Sequence, residues 1–146
     1  MKVKDLLAEK GKFVITVKES STIHEAMETF AKHRVGSLLI LNESEKIVGI
    51  LAARDVLMAV LNDCEAIRKR KVDEIMTKQI IVGTPEDDLD YIQALMTENR
   101  IRHVPIIENK ALAGILSIGD VVKSQLKQYH VENHYLKEYI EGKYPA

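Results

Sequence analysis

Ser117 and Asp120 stand three residues apart, where the apolar run 112–116 gives way to a helical pattern beginning near Val121. The first N–H groups of a helix have no intrahelical partners and point toward an incoming anion. A Ser hydroxyl there can donate to a phosphate. An Asp one turn later can accept from ribose hydroxyls, since a carboxylate takes two such bonds at once. The same Ser-x-x-Asp spacing before Val121 and Val122 is also a helix cap, worth about 1 kcal/mol without any ligand. On residue pattern alone both readings stay open.

These residues belong to a duplicated segment. Residues 34–41 (RVGSLLIL) match 100–107 (RIRHVPII) at an offset of 66, and 47–57 (IVGILAARDVL) match 112–122 (LAGILSIGDVV) at 65. The lost residue falls within 42–46, where a hairpin turn tolerates it. The openings match as well: 3–7 (VKDLL) against 72–76 (VDEIM). Two copies predict a pseudo-twofold axis and a shared interface. In the first copy Asp55 is kept, but Ala52 replaces the hydroxyl of Ser117. Arg54 adds a cation that could reach a phosphate or simply form a surface ion pair. Two unequal sites follow, the one with Ser117 and Asp120 being the better.

The elements that position these residues recur in the same order. Residues 13–17 and 79–82 predict short strands. Thr22, with Glu25 at capping-box spacing, opens a helix whose apolar face is Ile23, Ala26, Met27 and Phe30. Asp88 is expected to cap the matching helix, with Leu89, Ile92 and Met96 inside. The continuous apolar runs 38–41 and 104–107 predict buried strands, each followed by a turn and a second strand, 47–51 and 112–116. Pro105 has no donor, so its strand lies at an edge or its nitrogen faces away from the ladder. The fold class is α/β (α+β): two tandem β-α-β-β-α repeats, residues 1–61 and 72–127, joined by a linker at 62–71. A C-terminal helical extension covers 128–146.

With 146 residues, 46% hydrophobic and 29% charged, the chain reads as globular with a core of Ile, Leu, Val and Met. A net charge of -1 favours neither nucleic acid nor an anionic membrane. The linker cluster Arg68, Lys69, Arg70 and Lys71 lacks companion aromatics and reads as a solvated connector. Cys64 is alone, which excludes an intrachain disulfide and fits a reducing, cytoplasmic setting. No apolar run resembles a signal peptide or a membrane span. No P-loop, His-Glu-x-x-His or nucleophile elbow is present, so no enzyme is expected. In the tail, His130, His134 and Glu138 fall four apart, but three ligands without a fourth do not make a metal site, and none is assigned. Tyr129, Tyr135, Tyr139 and Tyr144, with Leu126, Val131, Leu136 and Ile140, instead predict an amphipathic helix that packs on its own module or on a partner subunit.

The order of units and two motifs resemble the CBS-domain pair, or Bateman module. The motifs are Arg-x-x-x-Val-Pro-Ile at 100–106 and Gly-Ile-Leu-Ser-x-x-Asp at 114–120. The resemblance implies two small mixed sheets packed together, helices outside, and clefts on the pseudo-twofold axis for AMP, ADP, ATP or S-adenosylmethionine as regulatory ligands. It also implies homodimers that regulate another protein, with no catalysis and no required cofactor. On this resemblance the better cleft takes Ile15 against an adenine, Val35, Gly36 and Ser37 along base and ribose, Arg102 and His103 near phosphates, and Ser117 and Asp120. The second cleft takes Arg54, Asp55, Ile81 and Ile101. An alternative is a ligand-independent dimerisation or protein-interaction module in which Ser117 and Asp120 only cap a helix.

Overall fold

The computed structural model describes residues 1–11 and 13–142. Tyr144 lies outside the described residues. Helices α1 (Val3–Lys10), α2 (Ile23–His33), α3 (Ala53–Asn62), α4 (Leu89–Asn99) and α5 (Ile118–Ile140) alternate with strands β1 (Thr16–Lys18), β2 (Ser37–Leu41), β3 (Ile47–Ala52), β4 (His103–Glu108) and β5 (Ala111–Ser117). The chain forms two compact units. One comprises Phe13–Ile81, the other Met1–Lys12 together with Val82–Ala146.

In the unit of Phe13–Ile81 the sheet order is β1-β2-β3, with β1 parallel and β3 antiparallel to β2. Leu38, Leu39, Ile40 and Leu51 are fully buried, as their unbroken apolar runs require. The Thr22 hydroxyl accepts from the Glu25 amide at 3.1 Å and starts α2. The helix buries Ile23 and Ala26 and ends at Arg34 in the left-handed region. The linker is more than a solvated connector. Its Ile67 is buried in this unit's core, although Arg68 and Lys69 beside it are exposed.

In the other unit β4 and β5 form an antiparallel pair. Its core joins Val3, Leu6 and Leu7 of α1 to Ile92 and Met96 of α4, Val104 and Ile106 of β4, and Leu116 and Val121. The duplication reaches fine detail. Both hairpins shift register at matching places, Ile40/Leu41 and Ile106/Ile107. Arg34 and Arg100 are matching left-handed helix ends. The hairpins differ in their turns, at the missing residue. Asn42 Oδ1 accepts from the Ser44 and Lys46 amides in the first. The second closes on Asn109 and Lys110, both at positive φ, the pattern of a tight type I′ turn.

Three expectations are corrected. The strand at 79–82 is replaced by a single parallel bridge between Gly83 and Ile106. The Gly83 amide donates to Pro105 O and the Ile107 amide to Gly83 O, each at 2.9 Å. One step further back the parallel ladder needs a donor from residue 105, and proline has none. Since the Pro105 carbonyl faces Gly83, its nitrogen faces away from β5, and the antiparallel ladder is spared. The strand expected at 13–17 is shorter and later, Thr16–Lys18. Asp88 occupies the first position before α4, but its side chain makes no capping bond; it faces Lys2 Nζ at 3.6 Å instead.

The sequence repeats and the compact units are out of phase. The opening of the first repeat, α1, packs on the sheet of the second. Leu7 Cδ2 lies 2.8 Å from where a Cβ on Gly114 would stand. The matching opening of the second repeat, a 3₁₀ turn at Val72–Glu74 followed by Met76, packs in the Phe13–Ile81 unit, with Met76 over Gly49. At both positions a side-chain end of the opening segment presses where a Cβ would stand, so a larger residue there requires Leu7 or Met76 to shift.

Candidate functional site: a capping box beside a partly buried ion pair

Strand β5 ends at Ser117 and α5 begins at Ile118, so both candidate groups of the second repeat sit at a strand-to-helix junction. The Ser117 hydroxyl accepts from the Asp120 amide at 3.1 Å, and Asp120 Oδ2 accepts from the Ser117 amide at 2.8 Å. This is a complete capping box. The capping reading of the pair is therefore real. It does not exhaust the chemistry. A hydroxyl that accepts from an amide keeps its own proton to donate. Asp120 also meets a residue the sequence did not single out. Lys10 Nζ donates to Asp120 Oδ2 at 2.6 Å and to the Ile115 carbonyl at 2.6 Å. Both side chains of this ion pair are more than two-thirds buried. All these bonds fall on Oδ2, which leaves Oδ1 open as an acceptor.

The register pairs His103 with Ser117. The Arg102 carbonyl accepts from the Ile118 amide at 2.8 Å, tying the first residue of α5 to the segment before β4. Arg102, His103, Ser117 and Asp120 are thus brought together in one unit, with Lys10 among them. Burial pushes the Asp120 carboxyl up, but the Lys10 ammonium and the Ser117 bonds outweigh it and hold the group below the ordinary carboxylate range. Burial lowers His103, and Lys10 and Arg102 lower it further against the pull of Asp120, so its imidazole favours the neutral form. A cavity of about 300 Å³ adjoins this cluster, lined by Leu6, Glu9, Lys10, Asp120, Lys123, Ser124 and Lys127.

In the Phe13–Ile81 unit the matching junction is weaker, as the sequence predicts. Asp55 Oδ2 accepts from the Ala52 amide at 2.8 Å, but no hydroxyl answers it. Arg54 is exposed. Ser37 is buried at the start of β2 and pairs with Ala52 in register. Gly36 is exposed, and its carbonyl accepts from the Ala53 amide at 3.1 Å, just as Arg102 does for Ile118. Ile15 and Val35 are half-buried against this unit's core, and the Ile15 carbonyl accepts from the Leu39 amide at 3.2 Å. Ile81 is half-buried at the end of this unit, while Ile101 packs on the core of the other. Lys10 escaped notice in the sequence because α1 lies more than a hundred residues from Asp120. The only available signal was a basic residue closing an amphipathic opening helix.

In the tail, His134 Nε2 lies 3.0 Å from Glu138 Oε1 as a simple i,i+4 pair. Among the described residues no cluster of three or more His, Cys, Asp or Glu is arranged to hold a metal ion. No described helix is long and apolar enough to cross a membrane.

Comparison with known proteins agrees with this architecture. The CBS domain family matches residues 3–62 and again 72–127. The chain is 33% identical to the mitochondrial CBS domain-containing protein CBSX3 of Arabidopsis thaliana, over 97% of its own length and 73% of that protein. Its fold is similar to the CBS-domain protein ATU1752 from Agrobacterium tumefaciens, with a TM-score of 0.83, 39% identity, and coverage of 85% of this chain and 92% of that one. It is also similar to the CBS domain pair of protein MJ0100 in complex with 5-methylthioadenosine and S-adenosylmethionine, with a TM-score of 0.76, 27% identity, and coverage of 88% and 98%. With two matched repeats and a shared mixed α/β architecture, the chain belongs to the CBS domain family as a tandem pair.

Proposed function

We propose that the chain is a non-catalytic regulatory module that binds an adenosine-containing ligand, AMP, ADP, ATP or S-adenosylmethionine, and signals to a partner protein. The observation that carries this reading is the junction at Ser117 and Asp120. It presents a hydroxyl proton and an open carboxylate oxygen side by side, with the Lys10 ammonium against the carboxylate. A ribose diol suits the carboxylate and a charged or polar tail suits the cation. The complex of the MJ0100 domain pair with two adenosine compounds supports the ligand class. The base is assigned to Ile15, Val35, Gly36 and Ser37 by family resemblance alone, as is the second site at Arg54, Asp55, Ile81 and Ile101. The module acts as a homodimer, and its lone exposed thiol, Cys64, supports a reducing, cytoplasmic setting.

One observation favours the ligand-independent alternative: Asp120 is already satisfied by Lys10 and Ser117. Thermal unfolding and titration calorimetry with AMP, ADP, ATP and S-adenosylmethionine separate the two. At least one of them should raise Tm at millimolar concentration, and Asp120→Ala should remove that response. If none shifts Tm, the interaction-module reading stands in its place; if Asp120→Ala lowers stability while affinity holds, the ligand site does not include Asp120.

A further inference from the structure

Helix α5 is anchored only at its start. Val121 and Ser124 are buried, and Gln125 hydrogen-bonds Gln93 of α4. From residue 126 to residue 140 every side chain is exposed except the half-buried Glu138, which pairs with His134. The expectation that the tyrosine-rich tail packs on its own module is thus not met: Tyr129, Leu136 and Ile140 are 66%, 60% and 82% exposed. This stretch gains no stability from packing on the rest of its unit, which leaves its apolar side chains free to pack against another helix.

The spacing of its apolar residues says which. Five of its eight exposed apolar residues, Val122, Leu126, Tyr129, Leu136 and Ile140, follow alternating steps of four and three, with Asn133 completing the series between Tyr129 and Leu136; Val131, Tyr135 and Tyr139 lie off this stripe. In heptad terms Leu126, Asn133 and Ile140 are a positions, and Val122, Tyr129 and Leu136 are d positions. A single Asn at an a position is a device that fixes register, because it is satisfied by the same Asn of an in-register parallel partner. The flanking charges agree. Glu132 at g and Lys137 at e are five residues apart, the spacing at which a parallel partner's e residue answers a g residue. Neither side chain has an ion-pair partner among the described residues. An antiparallel pairing would instead bring e positions together, and these are Lys123, His130 and Lys137.

We propose that residues 122–140 of α5 form a parallel, two-stranded coiled coil with the same helix of a second copy of this chain. The inference rests on the homodimer reading above and is independent of the ligand. In a Cys64→Ser background, Asn133→Cys should oxidise readily to a covalent dimer, because a-position residues of a parallel pair lie within disulfide reach. Val131→Cys is as exposed as its neighbours but sits on the opposite f position, and it should not cross-link. Adding Leu136→Glu to Asn133→Cys should abolish the cross-link. Equal cross-linking at 131 and 133, or persistence with Leu136→Glu, overturns the coiled coil. Sedimentation separates this from failure of the homodimer. A species of twice 16.5 kDa without a residue-133 cross-link sinks the coiled coil alone, while a 16.5 kDa species sinks both.

Discussion

Asp120 closes the α5 capping box, pairs with Lys10 in a partly buried setting, and keeps one oxygen open. The cap leaves the Ser117 hydroxyl proton and Asp120 Oδ1 unused, so the proposed ligand contacts and the cap do not compete for the same bonds. The environment of these residues predicts a pH response with a definite sign. His103 titrates below 6.5 in the folded chain, so the unfolded chain takes up its proton first, and stability falls as pH drops below 6.5. Asp120 is depressed below 3.8, so its contribution is intact above that value and is lost as pH falls through its folded pKa. Measured Tm should therefore decline between pH 7 and pH 5, with a shallower decline in His103→Gln. An identical slope in that variant would remove His103 from the explanation.

At the scale of elements, the two openings decide how each sheet is covered. Leu7 lies over Gly114 and Met76 over Gly49, at matching positions of the duplicated sequence. Gly114→Ala places a methyl against Leu7 and should cost about 1–3 kcal/mol, read by urea unfolding. Because the clash is with a side-chain end rather than backbone, Leu7→Ala in combination should cost less than the sum of the two single changes. Strict additivity would show that the strand, not the contact, sets the penalty. Strand β4 shows the opposite case, where one residue limits an element: Pro105 restricts the parallel ladder to Gly83.

At the scale of the molecule, the duplication in sequence does not coincide with the compact units in space. Each unit takes its opening segment from the other repeat's stretch of chain. Deleting residues 1–10 should therefore damage the second repeat, from which it strips Val3, Leu6 and Leu7 of the core. Hydrogen exchange should show lost protection in β4, β5 and α4 while β2 and β3 hold. Loss confined to β2 and β3 would contradict this division of the chain.

Much of this was legible in the residues. Matched runs at nearly constant offset gave the tandem repeat, and continuous apolar runs gave the buried strands β2 and β4 with their hairpin partners. Ala52 against Ser117 gave the inequality of the two junctions. These are local matters, set by period, turn chemistry and the presence of a hydroxyl. Long-range pairing was not legible, because no local pattern states which distant segment will cover a sheet. Hence the exchange of openings, the burial of Ile67 within a basic linker and the ion pair of Lys10 with Asp120 appeared only in three dimensions. Asp88 was misread for the same reason: its type and place suit a cap, but the tertiary structure brings Lys2 beside it. The junction at Ser117 and Asp120 lies between these cases. Sequence supplied the hydroxyl and the carboxylate, and the packing of α1 supplied the cation that sets their charge.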